Sequence, residues 1–345
     1  MNTKKSIRTL TALSASLVFV SLSAFAADRK IFVANEGAGT VSVIDGATFK
    51  VTGHIAVGAG AHNVQVSPDG KLAWVTNNGA PKATDSGKGH SGAGHGAMAQ
   101  SGEVWAIDTN TDAVVARVVV GKHPAHVVVS ADNRWAYVTN GGDNTVSVVD
   151  TASLKVTDTV PTGEYPHGLR LSPDGKQVYV ANLKGNTVSV IDTESRKEIE
   201  KIPVGKGPAQ VGFTSDGHLA FVSLSQEASV AVIDPASRKV IRKVSVGEVP
   251  IQLYATPDNR FLFVANQGRR KNPGNTVSVI DLANFSTQQI QVGSGAHGVV
   301  LGSDGRHAYV SNLYANTVTV IDVQTSKAVA TVSVGAGPNG ISVTP

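Results

Sequence analysis

Ten histidines are the residues of this 345-residue chain best suited to chemistry, and they are not spread evenly. His62, His167 and His297 each stand four residues after the glycine of a recurring Val-Gly or Thr-Gly pair, and His126 stands five residues after one. His123 lies just ahead of His126, while His90 and His95 fall with Met98 in the glycine-rich stretch GKGHSGAGHGAMAQ, residues 87–100. Neutral imidazole is the commonest protein ligand for zinc and copper, and a thioether adds a preference for Cu(I). Three imidazoles around an open position also form a catalytic geometry. These residues therefore point to copper or zinc held by His62, His126, His167 and His297, with His90, His95, Met98 and His123 as further donors. Other chemistry finds little support. The chain has no Cys, which excludes disulfides, thiolate metal sites, iron–sulfur clusters and covalently attached haem c. It has no G-x-S-x-G, H-E-x-x-H, P-loop or S-x-x-K pattern, so neither a nucleotide cofactor nor a hydrolytic nucleophile is expected.

What must position these side chains is a repeat. The aromatic of FVAN- and YVTN-like strands recurs at Phe32, Trp74, Tyr137, Tyr179, Phe221, Phe263 and Tyr309, at spacings of 42, 63, 42, 42, 42 and 46. That is a 42-residue period with one long and one short insertion, GRRKNPGN being the short one. Each unit ends a TVSVID-like strand in Asp, and Asp-Gly or Asp-Asn pairs recur at 69–70, 132–133, 174–175, 216–217, 258–259 and 304–305. Those pairs tolerate the positive φ of tight turns, so the strands flanking them should be antiparallel neighbours. One unit reads as four strands, HGLRLS, QVYVAN, TVSVID and EIEKIPVG, with β-branched alternation and no helical period. Seven four-stranded units predict an all-β, seven-bladed β-propeller with four antiparallel strands per blade. The chain enters on the second strand of a unit and ends on a first strand, so the C-terminal strand should pair with the N-terminal blade and close the ring.

The repeated YVTN, NTVSVID, VG and SPDG segments resemble the YVTN-repeat family of secreted or surface β-propellers, over essentially all of residues 29–345. The resemblance implies the fold and leaves function open, because propellers host enzymes, scaffolds and ligand traps alike. The repeated aromatics and Asp residues read as blade packing and turns. Function should lie where the blades differ, at the channel mouth reached by the first residues of each inner strand. Counted from the Val-Gly-type glycine, the fourth residue is His62, Ala125, His167, Ala209, Ile251, His297 or Asn339, and the fifth is Asn63, His126, Gly168, Gln210, Gln252, Gly298 or Gly340. Strict strand alternation would turn His126, Gln210 and Gln252 away from the other four. Seven of the ten histidines map to this one face, with residues 83–100 as a loop insert that could act as a lid. Carboxylates there are chiefly Glu164 and Glu248, too few for paired acid–base work.

The first 26 residues have a basic head (Lys4, Lys5, Arg8), an apolar run and Ala24-Phe25-Ala26, the pattern of a secretory signal peptide. Cleavage near Ala26 would leave a single propeller over 27–345, periplasmic or secreted, with no membrane span. The chain carries 30 basic and 26 acidic residues; without the three basic residues of the leader the balance is 27 against 26, a net charge of +1. Nucleic acid is not expected as a partner on that balance. The expected partners are a metal ion and a periplasmic protein, and the expected state is a monomer. Two other readings stand beside metal binding. One is a non-enzymatic scaffold for protein, nucleic acid or anionic polymer, suggested by Arg269, Arg270 and Lys271. The other is a lactonase-like hydrolase.

Overall fold

A computed structural model of the chain describes residues 29–79 and 101–345. The leader expected over residues 1–26, and the insert 83–100 with His90, His95 and Met98, lie outside the described residues. Among the described residues twenty-eight strands form seven four-stranded antiparallel sheets. Six blades are continuous in sequence, and the seventh joins Lys30–Asn35, Thr40–Asp45 and Lys50–Ala56 to the C-terminal strand Pro338–Val343. That strand pairs antiparallel with Lys30–Asn35, as the expected ring closure requires. Blades are numbered here from this closing blade as blade 1. Among the described residues no helix is long and apolar enough to cross a membrane.

Burial follows position within each blade. Second and third strands such as Gln177–Asn182 and Thr187–Asp192 are packed on both faces between neighbouring blades, and only their ends are partly exposed. Outer strands such as Lys155–Pro161 alternate exposed and half-buried residues. The repeated aromatics Phe32, Trp74, Tyr137, Tyr179, Phe221, Phe263 and Tyr309 are all buried between blades, so they are packing residues.

The repeated polar residues form a module of their own. In blade 4 the Asn182 amide donates to Thr187 Oγ1 (3.0 Å) and Ser189 Oγ (2.9 Å). The Asn of YVTN is thus tied to the Thr and Ser of NTVSVID, and Asn35, Asn140, Asn266 and Asn312 do the same in their blades. The Asp closing each third strand accepts from the turn that follows, as Asp192 does from Ser195 N and Oγ, which holds its carboxyl below the usual range. In the SPDG turns Gly70, Asn133, Gly175, Gly217, Asn259 and Gly305 all have positive φ, as the Asp-Gly and Asp-Asn pairs predict. The insert GRRKNPGN prolongs two strands of blade 6 to Phe261–Arg269 and Asn272–Asp281, with Arg269 paired to Asn272.

Candidate metal centre

The inner strands Ala61–Val66, Pro124–Val129, Pro166–Leu171 and Ala296–Leu301 carry the four histidines of the channel mouth. In every blade the register of the inner strand slips at the fourth and fifth positions, for example between Ala61 and Val64 or between Pro124 and Val127. Two residues there oppose one, which is a β-bulge, and a bulge re-aims side chains that strict alternation would separate. The expected divergence of His126 therefore does not occur. Its ring centroid lies 5.7 Å from that of His62 and 4.9 Å from that of His167.

The middle residue of YVTN secures this bulge. His126 N–H donates to Thr139 Oγ1 at 3.0 Å, and the same hydroxyl donates to the carbonyl of His167 in the next blade at 2.7 Å. Thr76 does the same for Asn63 N–H and the Ala125 carbonyl. The glycines that follow His167 and His297 are dictated by crowding. A Cβ at Gly168 would stand 2.3 Å from Gln210 Oε1 and 2.4 Å from the Ala209 carbonyl, and one at Gly298 would stand 2.5 Å from the Asn339 carbonyl.

Among the described residues His62, His126 and His167, from three consecutive blades, form a group whose ligand atoms all lie within 4.8 Å of one another. His62 Nε2 and His167 Nε2 are 3.3 Å apart. A hydrogen bond assigns the tautomer of His167. His167 Nδ1 is 2.9 Å from the Ala209 carbonyl; a carbonyl only accepts, so Nδ1 carries the proton and Nε2 a lone pair. His62 Nδ1 has two neighbours, the Asn339 amide Nδ2 at 3.2 Å and Glu36 Oε1 at 3.5 Å. Glu36 is fixed in turn by the Asn339 amide, which donates to Oε2 at 2.8 Å. Burial acts to raise the Glu36 carboxyl, but the charge and hydrogen bonding of His62 and the bond from Asn339 outweigh it and hold it at about 2. In the neutral His62 ring Nδ1 can accept from Asn339 while Nε2–H donates to His167 Nε2 at 3.3 Å. With Nδ1–H turned to Glu36 instead, two lone pairs face each other across that gap and a metal can lie between them. Two nitrogens on one zinc, each bound at about 2.05 Å in tetrahedral array, stand about 3.3 Å apart. A carboxylate behind one ligand imidazole and a backbone carbonyl behind another are the outer partners that metal-bound histidines adopt.

His126 and His297 sit deeper. Burial first, then the neighbouring histidines, pushes the pKa of His126 well below the ordinary value, and burial with the charge of His62 brings that of His297 to about 3. His297 lies 6.4 Å from His62 between ring centroids, outside the triad. Gln267 bridges Tyr314 Oη at 3.0 Å and His297 Nδ1 at 2.9 Å. Val211 N–H holds Gln210 Oε1 at 2.9 Å, turning Gln210 Nε2 toward His126 Nδ1 at 3.3 Å. Nδ1 must accept, and the His126 proton sits on Nε2.

His123 stands apart from the triad, half-buried with positive φ in the loop before blade 3, its pKa lowered by burial and then by the charges of His62 and Lys184. The residues that orient the site were not anticipated. Glu36, rather than Glu164 or Glu248, is the carboxylate beside His62. Glu36 and Gln267 hold the same place in their repeats, directly after the Asn of FVAN, and each reaches the histidine of the following blade. Aligning that loop position would have shown two long polar side chains preceding two histidine-bearing blades.

A model of the YNCE-like beta-propeller family matches residues 84–256 and 246–345. The chain belongs to that family. Its YNCE-like propeller is also similar to solved structures of several kinds. Hydrazine synthase of Kuenenia stuttgartiensis is 23% identical, with 83% of this chain and 90% of that chain covered and a TM-score of 0.70. The periplasmic gluconolactonase PpgL of Pseudomonas aeruginosa is 19% identical, with 92% and 99% covered and a TM-score of 0.71. A protein of Desulfotomaculum acetoxidans described as functionally unknown is 16% identical, with 92% and 99% covered and a TM-score of 0.73. At these identities the likeness speaks for the fold alone. No curated protein matches the sequence.

Proposed function

We propose that this YNCE-like propeller captures a transition metal of the zinc or copper class at the mouth of its channel. His62 and His167 are the primary pair and His126 the third ligand. The observation that carries this reading is the 3.3 Å separation of His62 Nε2 and His167 Nε2, within a triad of histidines whose ligand atoms all lie within 4.8 Å of one another. An all-imidazole donor set suits zinc and copper better than the hard cations, which prefer oxygen. Metal capture at His126 asks for one rearrangement, because its Nε2 proton must leave or Gln210 must turn. The basic and apolar first 26 residues support a location outside the cytoplasm, and His90, His95 and Met98 would supply further donors from the adjoining insert. A lactonase reading has only the shared fold behind it.

The test is metal titration of untagged, chelator-treated full chain with Zn(II), Cu(II) and Cu(I). One ion should bind per chain, and His62→Ala or His167→Ala should weaken it by about 100-fold or more, since loss of an outer-shell partner alone costs 10–100-fold. His218→Ala, on the opposite turn face, should change nothing. Binding no tighter than about millimolar, or unchanged in both ligand variants, would end the metal reading.

A further inference from the structure

Beneath the histidines the channel holds a small cavity of about 60 Å³, enough for more than one water-sized group. Its wall includes Arg170, Gln65, Gln252, Tyr254 and His126. Arg170 is the cation of this cavity, and among the described residues no carboxylate lies within 4.0 Å of its guanidinium. It reaches Gln65 Oε1 at 3.4 Å, a long contact, and stands 5.2 Å from the centroid of the Tyr254 ring. Gln252 is 4% exposed, and its Nε2 has no hydrogen-bond partner among the described residues. His126 is 2% exposed and its Nε2, the protonated nitrogen, is likewise unpartnered. A partly buried cation and two buried unsatisfied N–H donors around one small cavity are costly together when nothing answers them. One acceptor-only group answers all three.

We propose that this cavity is a binding site for a small, singly charged oxyanion of the carboxylate, nitrate or bicarbonate type. Arg170 supplies the planar fork that such anions accept in two-point fashion, and Gln252 and His126 supply lateral donors. Entry is from the face opposite the histidines. Arg170 and Tyr254 also line a second, wider cavity of about 280 Å³, bounded by exposed Pro173, Ser215 and Pro257 of the turn loops. Arg170 thus lines both the vestibule and the channel cavity. This site lies apart from the proposed metal pair His62 and His167 and shares only His126 with the triad, whose Nε2–H serves the anion in the metal-free chain.

The experiment is calorimetric titration of the chelator-treated full chain with sodium formate and sodium nitrate at constant ionic strength, with chloride and sulfate as comparisons. Formate and nitrate should bind saturably at one site, sulfate should not, and chloride should bind more weakly because it cannot use the fork. Arg170→Gln should weaken formate by at least about tenfold, the scale of a lost charge-assisted hydrogen bond, and Gln252→Leu by several-fold. Arg270→Gln, in the blade 6 hairpin, should bind as wild type. His62→Ala and His167→Ala should keep anion binding whatever they do to metal, so failure of one site leaves the other to be judged separately. No saturable response up to about 0.1 M, or equal affinity in Arg170→Gln, would overturn the site. If Arg170→Gln does not fold, wild-type affinity in Gln252→Leu overturns it instead.

Discussion

Gln210 decides which nitrogen His126 offers. Its carbonyl oxygen is held by Val211 N–H, so its amide faces His126 Nδ1 and the imidazole is left with a proton on Nε2. Gln210→Glu would place a carboxylate against Nδ1, as Glu36 stands near Nδ1 of His62, draw the proton there and present Nε2 as a ready ligand. Metal affinity in Gln210→Glu should therefore rise by about tenfold, within the range that outer-shell carboxylates contribute. Titration calorimetry against the wild type measures it, and unchanged or weaker binding would remove His126 from the ligand set. The histidines themselves could be read from the sequence by residue type and by their place after a repeated glycine. Their tautomers could not. A tautomer depends on which acceptor stands behind each ring, and those acceptors come from neighbouring blades. Glu36 lies 26 positions before His62, and the Ala209 carbonyl lies 42 positions after His167.

At the scale of the strand, the fold was legible because each repeated residue has one local task. The Asn of YVTN ties to Thr and Ser of NTVSVID, the turn Asp accepts from the next two or three residues, and the aromatic fills the space between blades. The bulge was not legible, since strict alternation gives no sign of where two residues will oppose one. It left a trace all the same, in the glycine that follows His167 and His297. Gly168 makes this testable, because a methyl group there would press on the Ala209 carbonyl and Gln210. The same carbonyl accepts His167 Nδ1–H. Gly168→Ala should destabilise the chain by about 1–3 kcal/mol, the cost of overpacking, and should also weaken metal binding by disturbing the tautomer of His167. Gly53→Ala on an outer strand, where a Cβ would meet nothing within 4 Å, should leave both unchanged. Urea unfolding midpoints and metal titrations of the two variants provide the measurement, and equal behaviour would show that the inner strands yield more easily than the crowding implies.

Across the whole molecule, seven blades converge on a narrow axis, and the convergence buries His126 and His297 in their neutral form. Burial is the main cause of both lowered pKa values, with His297 brought to about 3. The unfolded chain takes up these protons near the ordinary histidine value of about 6.5, while the folded chain refuses them. Below that pH the unfolded state binds more protons, so stability is full above about 6.5 and falls as acid is added, down to the folded value. Each pH unit in the window costs about 1.4 kcal/mol per group, or roughly 2 kcal/mol for His297 between pH 6.5 and 5, and His126 adds to it in the same direction. Glu36, whose folded pKa is lowered from 4.5 to about 2, and the lowered turn carboxyls act in the same direction but only at lower pH. The range from pH 7 to 5 therefore isolates the histidines. Metal must be absent, because a bound ion stabilises the folded state by mass action and itself competes with protons. The metal-free chain should show a urea midpoint that falls steeply from pH 7 to 5. The double variant His126→Gln with His297→Gln should start lower at pH 7 and lose much less of its stability over the same interval. Parallel curves for the two proteins would mean that the histidines of the channel mouth are solvated well enough to accept protons in place, and that the closing of the ring does not hold them neutral.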